Sequence, residues 1–244
     1  MSKSVVIITG ANQGLGHEIV KKLAAENENY RIILCSRSLE KGHQAASEVT
    51  NIANNTKVDV VQLDISSDES IESAARTVED KYGRVDVLVN NAGISRGDAK
   101  TVREQMHQVF DTNVAGAAVV TDAFVGLLRK SKAPRIIIMS SDLGSIGNTL
   151  DPKYPFYSYA PIALHYKAAK AAVNMVGAVY AVQYKDEGFR INMVNPGFRQ
   201  TNLNSYAEGA GKKEDGAIEA CKFITMGDAG ETGTYSETEG PIRW

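Results

Sequence analysis

Short, almost unbroken apolar runs alternate along the chain with longer stretches in which apolar residues recur every three or four positions. The runs occupy residues 5–8, 31–35, 58–63, 85–89, 135–139 and 190–194 and are dominated by Val and Ile. A strand that is apolar on both sides has to be covered on both sides, which is the situation of parallel strands held between helices. Helical periodicity marks the intervening stretches near 15–28, 40–53, 68–82, 102–130 and 164–187. This alternation, closed by right-handed crossovers, predicts an α/β fold with one open, doubly wound, mainly parallel sheet and helices on both faces. The last thirty or so residues are rich in Gly, Thr and Glu and keep one strand-like run at 232–236, so they are read as a final strand and a tail. No linker, internal repeat or low-complexity tract interrupts the pattern, and residues 1–244 are expected to form a single domain. In such a sheet ligands settle beyond the carboxyl ends of the strands, where the strand order reverses. The residues that follow each apolar run are therefore the candidates for chemistry.

Composition narrows the partners. Lys and Arg number 27 against 29 Asp and Glu, a formal net charge of −2, and the basic residues are scattered. Neither nucleic acid nor a membrane is expected as a partner. Met1-Ser2-Lys3-Ser4 leads directly into the first apolar run, which is far shorter than a membrane span, and a cytoplasmic location is expected. Cys35 and Cys221 have no CxxC or Cys/His spacing, so no metal site or disulfide framework is expected; Cys35 lies in an apolar run and reads as a core residue. His17, His43, His107 and His165 fit neither a triad nor a metal spacing and are read as structural.

Beyond the first apolar run stands Thr9-Gly10-Ala11-Asn12-Gln13-Gly14-Leu15-Gly16, followed by an amphipathic helical pattern. Glycines at such a corner allow a tight turn and let a phosphate approach backbone N–H groups at a helix N-terminus. The spacing is Gly-x-x-x-Gly-x-Gly, not the common GxGxxG. The second run ends in Ser36-Arg37, with no acidic residue to accept hydrogen bonds from a ribose 2′-OH. Arg37 suits a 2′-phosphate, or else decorates a solvated turn. Asp64-Ile65 follows the third run and Asn90-Asn91-Ala92-Gly93 the fourth.

Tyr166 and Lys170 lie four residues apart, on one face of a predicted helix. An ammonium beside a phenol favours the phenolate and lowers its pKa, which suits a proton donor and acceptor for carbonyl chemistry. Ser140-Ser141-Asp142-Leu143-Gly144 ends the fifth run. With the Thr-Gly-x-x-x-Gly-x-Gly, Asn-Asn-Ala-Gly and YxxxK patterns, this order of elements resembles the short-chain dehydrogenase/reductase family from about residue 5 to residue 201. The resemblance implies a Rossmann-type fold and a nicotinamide cofactor. It implies Asn113, Ser141, Tyr166 and Lys170 as the catalytic set, with Asn113 holding a water near Lys170. It further implies a cofactor site of Gly10, Asn12, Gln13, Gly14, Leu15, Gly16, Ser36, Arg37, Asp64, Ile65, Asn91, Ala92, Gly93, Tyr166 and Lys170, completed by Pro196, Gly197 and Thr201.

Ser141 and Tyr166 are 25 residues apart, more than in the shortest members of that family. The extra stretch at 148–161 carries Tyr154, Phe156, Tyr157 and Tyr159, and with the tail from Glu239 to Trp244 it is similar to the carbonyl-reductase branch. Its aromatics either wall a pocket for a bulky apolar carbonyl or pack among themselves on the surface. Residues 198–216 mix Asn, Ser and Gly with few core apolars and are expected to form a mobile substrate lid. The expected activity is reversible reduction of a ketone or aldehyde with NADP(H). A polyol or sugar dehydrogenase and a non-catalytic NADP-binding regulator are the alternatives. The expected partner is a small carbonyl or alcohol substrate, and the chain is expected to be a monomer or a homodimer.

Overall fold

Val and Ile fill both faces of the central strands, and adjacent residues of one strand serve opposite cores. In β1 (Ser4–Ile8), Val5 and Ile7 face one helical layer while Val6 and Ile8 face the other. The computed structural model describes residues 3–159, 162–227 and 230–244. After β1 come α1 (Gly14–Glu26), β2 (Tyr30–Ser36), α2 (Leu39–Ser47), β3 (Lys57–Gln62), α3 (Asp68–Tyr82) and β4 (Val87–Asn90). The second half adds α4 (Val102–Phe110), α5 (Gly116–Leu128), β5 (Arg135–Met139), α6 (Ile146–Thr149), α7 (Leu164–Gln183), β6 (Arg190–Val194), α8 (Ile218–Thr225), β7 (Tyr235–Glu237) and β8 (Gly240–Pro241).

The sheet order is β3-β2-β1-β4-β5-β6-β7-β8. All neighbours pair in parallel except β7 and β8, an antiparallel edge made by the tail. The α/β, doubly wound, mainly parallel architecture expected from the pattern is the one observed. One core layer lies under α3, α5 and α7 through Ile71, Val120, Phe124 and Val173; the other lies under α1, α2 and α8 through Ile19, Leu23, Ala45 and Phe223. The strand order reverses between β1 and β4, so their carboxyl ends diverge and leave a crevice.

Local chemistry sets the helix boundaries. The Ser67 side chain accepts the Ser70 N–H at the start of α3, Asp68 and Glu69 occupy its first turn, and Gly83 ends it at φ 75°. Thr101 and Glu104 form a capping box at the start of α4. Three elements differ from the sequence pattern. The helix expected over 102–130 is broken at Asp111–Ala115 by a π-turn, where the Gly116 N–H reaches back to the Asp111 carbonyl. One inserted residue shifts the apolar face without interrupting it, so periodicity does not register the break. The second helix ends at Ser47 instead of 53, ahead of Thr50 and Asn51, which are weak helix formers. The eight-residue α8, missing from the pattern, is too short to establish a period, yet it buries Ala220, Cys221, Phe223 and Ile224. The run 102–128 is long and apolar enough to match a membrane span, but Val109, Val120, Phe124 and Leu128 bury its inner face in this core.

Phe124 has no exposed surface and sits at the centre of the α3–α5–α7 layer. Phe124→Ala should lower the unfolding free energy by about 3–5 kcal/mol. Urea unfolding followed by circular dichroism measures this, with the shift in midpoint at constant slope as the readout.

Candidate active site

The crevice between β1 and β4 continues into a cleft of about 950 Å³ that runs past the ends of β2, β5 and β6. All the residues expected to bind cofactor or act in catalysis line it except Gly16 and Asn113, which are buried behind its wall. At the β1 end Gly10 has φ 61°, and a Cβ there would come within 2.9 Å of Ala92 Cα and Cβ. Only glycine allows the turn to pass this close to β4's end. Thr9 Oγ accepts the N–H groups of Asn91 and Ala92, each at 3.0 Å. Asn91 returns its amide to the Thr9 carbonyl at 2.8 Å and to the Gly10 carbonyl at 3.3 Å. Asn90 donates to Thr121 Oγ, which fixes α5 to the sheet.

α1 begins directly after this turn with no side chain capping it and no acid in its first turn. Its N-terminal N–H groups and dipole therefore suit the pyrophosphate of a dinucleotide. At the end of β2, Arg37 is exposed, and Lys41 lies nearby in the first turn of α2, also bordering the cleft. Neither side chain makes an ion pair or hydrogen bond among the described residues. Asp64 is held below the usual carboxylate range mainly by a hydrogen bond from Ser66, with Arg37 adding to the effect. The residues fit a nicotinamide dinucleotide: the glycine turn and free helix start suit its pyrophosphate, and Arg37 and Lys41 stand where β2 ends.

The catalytic corner forms where β5 ends against α7. A Cβ on Gly144 would lie 2.8 Å from Lys170 backbone and side-chain atoms, so glycine at that place lets the Ser141 turn press on the helix that carries Tyr166 and Lys170. Ser141 is buried, with 9% of its surface exposed, and lines the cleft together with Tyr166. Ser140, its neighbour, donates to Asn174 Oδ1 instead and points into the protein. Burial pushes the Tyr166 phenol up to about 12; the neighbouring Ser141 hydroxyl works the other way and is the smaller effect.

Lys170 is 7% exposed, and burial lowers its ammonium to about 8. Its Nζ donates to the Met139 carbonyl at 2.6 Å and lies 5.7 Å from the centre of the Tyr166 ring. The lowering of the Tyr166 pKa expected from Lys170 is thus not what this arrangement produces. The ammonium is aimed at the end of β5, and desolvation dominates both groups. Asn113, in the π-turn, spends both ends of its amide on Ile94, accepting its N–H and donating to its carbonyl at 2.8 Å each. It fixes the loop after β4.

Two segments close the far end. Of the 148–161 stretch, Ala160 and Pro161 lie outside the described residues. Within the rest, Phe156 and Tyr159 line the cleft, and Phe156 contacts Tyr154, Tyr159 and Phe198 edge to face at centroid distances of 5.6, 6.2 and 5.9 Å. The stretch therefore walls the cleft as well as packing on itself. Of residues 198–216, the part from Phe198 to Glu208 borders the cleft. Arg199 and Gly211 form a bridge, the Ser95 hydroxyl donates to the Leu203 carbonyl at 2.8 Å, and Lys213 pairs with Glu18 of α1 at 2.8 Å. The motifs do not single out Lys41, Asp142, Lys167 or Arg199, which also border the cleft. Lys41 carries a readable signal, a second cation four residues past Arg37. Asp142 carries one too, an acid adjoining the serine. The histidines stand apart from the cleft lining, and His17 bonds the Ala45 carbonyl through Nε2. Among the described residues no group of His, Cys, Asp or Glu could hold a metal ion.

Known proteins resemble this chain along most of its length. The family model described as short chain dehydrogenase matches residues 4–210. A short-chain dehydrogenase of Penicillium roqueforti is 37% identical over 235 residues, covering 95% of this chain and 92% of that protein. A short-chain dehydrogenase/reductase of Aspergillus fumigatus is 35% identical, covering 93% of this chain and 89% of its own. The crystal structure of NADPH-bound carbonyl reductase from chicken fatty liver matches with a TM-score of 0.81 and 25% identity over 100% of both chains.

The burial of Lys170 has a consequence for stability. Between its folded value of about 8 and its ordinary 10.5, the unfolded chain holds a proton that the folded chain has released, so wild-type stability climbs with pH in that window. The difference in unfolding free energy between wild type and Lys170→Met should therefore move in favour of wild type as pH rises from neutral to about 10, by up to roughly 3 kcal/mol. Paired urea titrations across this range measure it; a difference independent of pH would contradict the burial of a charged amine.

Proposed function

The chain belongs to the short-chain dehydrogenase/reductase family, and on that premise we propose that it is an NADPH-dependent reductase converting a ketone or aldehyde to its alcohol, reversibly. The observation that carries this reading is the continuity of one cleft from the glycine turn and its two cations to the corner of Ser141, Tyr166 and Lys170. Members of this family bind a nicotinamide cofactor; bound here, NADPH would supply the hydride. Tyr166, with its pKa pushed up to about 12, is protonated at neutral pH and is placed to give its proton to the carbonyl oxygen as that oxygen gains charge. Ser141 orients the same oxygen and stabilises the developing alkoxide. Lys170 is cationic below about pH 8 and, fixed by the Met139 carbonyl, would hold the nicotinamide ribose. Asn113 shapes the site through Ile94. Phe156, Tyr159 and Phe198 favour a bulky apolar carbonyl over a polyol or sugar. Residues 198–216 would act as the lid over it.

Tyr166→Phe should lower kcat by at least about 10²-fold, the lower end of a general acid's usual contribution. NADPH affinity, read by fluorescence titration, should stay close to wild type, since the hydroxyl acts on the substrate. Turnover near the wild-type level would remove the basis of this assignment.

NADPH should be preferred over NADH. A charge-assisted hydrogen bond from Arg37 to the 2′-phosphate contributes about 1.5–3 kcal/mol, or roughly 10- to 150-fold in affinity. Arg37→Asp should weaken NADPH by at least that factor and leave NADH unchanged or improved. Lys41→Ala should give a smaller loss in the same direction. kcat/KM for both cofactors at one ionic strength decides; a wild-type preference for NADH would refute this reading of the corner.

A further inference from the structure

The hydroxyl of Ser141 is engaged on its donor side by an acid that no motif assigns. Ser141 Oγ donates to Asp142 Oδ1 at 3.3 Å and accepts the Leu143 N–H at 3.2 Å. A serine has one proton to give. A carbonyl to be polarised by Ser141 must therefore draw that proton away from a carboxylate. Asp142 cannot simply turn aside, because the Tyr154 hydroxyl holds its other oxygen, Oδ2, at 2.5 Å. The turn beneath is held as well: the Tyr235 hydroxyl donates to the Ser141 carbonyl, and the Tyr235 ring packs on Trp244 at 5.3 Å between centroids. Asp142 itself borders the cleft beside Tyr166.

We propose that the substrate is an α-hydroxy ketone whose hydroxyl donates to Asp142 Oδ1 in the place that Ser141 occupies in this structure. The proposal rests on the carbonyl-reductase reading above. The exchange conserves hydrogen bonds. The substrate hydroxyl donates a hydrogen bond to Asp142, and Ser141 rotates to donate its own to the carbonyl oxygen. A ketone without that hydroxyl breaks the Ser141–Asp142 bond and leaves a carboxylate oxygen short of a donor. Two oxygens on adjoining carbons also match the short separation of the two protein groups they must meet. An uncharged donor fits better than a cation: Lys167 already borders the same cleft, its ammonium held below the usual lysine range by burial, with the charge of Asp142 as the smaller, opposing effect. Phe156, Tyr159 and Phe198 line the space beyond for the remainder of the molecule, so an aryl group suits it.

Phenacyl alcohol, its methyl ether and acetophenone test this, with NADPH oxidation followed by absorbance. The ether keeps the inductive pull of the oxygen and lacks only the donor. Wild type should show kcat/KM about tenfold or more higher for phenacyl alcohol than for either control, the factor expected of a hydrogen bond to a charged acceptor. In Asp142→Asn, which keeps the shape of the side chain and a partner for Tyr154, that ratio should shrink. In Asp142→Ala it should approach one. The ratio compares substrates on one protein, so a general loss of activity cancels; should the Ala variant not fold, the Asn variant decides alone. Equal treatment of the three ketones by wild type, or a ratio that survives substitution of Asp142, overturns the proposal and leaves the carbonyl-reductase reading standing. Failure to reduce any of them or any other ketone or aldehyde in a broad panel overturns both.

Discussion

The site exists because β1 and β4 part company at their carboxyl ends and are stitched together there by side chains. Thr9 is almost fully buried, and its hydroxyl takes two N–H groups from the turn after β4 while giving its proton to the Val89 carbonyl. Asn91 reaches back with its amide to the two carbonyls of the glycine turn. Each such bond is worth only about 0.5–1.5 kcal/mol net, but a buried donor left without its acceptor costs about 1–3 kcal/mol. The set is therefore hard to leave in parts. It holds the start of α1 and the end of β4 in one geometry, and a dinucleotide would meet a surface already shaped.

At the other end of the cleft the balance is between burial and charge. Ser141, Tyr166 and Lys170 converge where the protein crowds them, and desolvation disfavours the charged forms of Tyr166 and Lys170. Burial pushes the phenol up to about 12 and the amine down to about 8, so both effects favour neutral groups. A phenol kept protonated is suited to giving a proton to an alkoxide. On the proposed reading, an amine still cationic at neutral pH would supply a nearby positive charge that makes the transfer less costly. A simple pairing of Lys170 with Tyr166 does not describe the geometry, because the ammonium is anchored on the Met139 carbonyl.

Most of the fold was legible because its signal is local and repeated: β-branched runs buried on both faces and helices with caps at their ends. The motif residues were legible because each stands directly beyond such a run. What escaped depends on contacts distant in sequence or on a single added residue. The π-turn at Asp111–Ala115 leaves the apolar periodicity of its neighbours intact, and α8 is defined by what it covers. The direction of the Lys170 side chain follows from the Met139 carbonyl, 31 residues earlier. Gly144 is instructive in the other sense. Its place in Ser-x-x-Gly can be read from the chain, but the reason, a helix passing 2.8 Å from where its Cβ would be, appears only in three dimensions.

The two ends of 198–216 differ in how firmly they are tied down, and the magnitudes say which yields first. Phe198 meets Phe156 edge to face, a contact worth about 0.5–1.5 kcal/mol beyond its area. At the opposite end of the same stretch Lys213 pairs with Glu18, whose side chain is only 5% exposed, and Lys21 stands farther off at 3.5 Å. Separating Lys213 would leave a buried carboxylate poorly compensated, a cost of several kcal/mol where the partner is buried and still about 1 kcal/mol or less if water reaches it freely. Because Glu18 is the buried member, the first regime governs. Any opening of 198–216 would then pivot about the α1 end and part Phe198 from Phe156, widening the cleft at the aromatic wall.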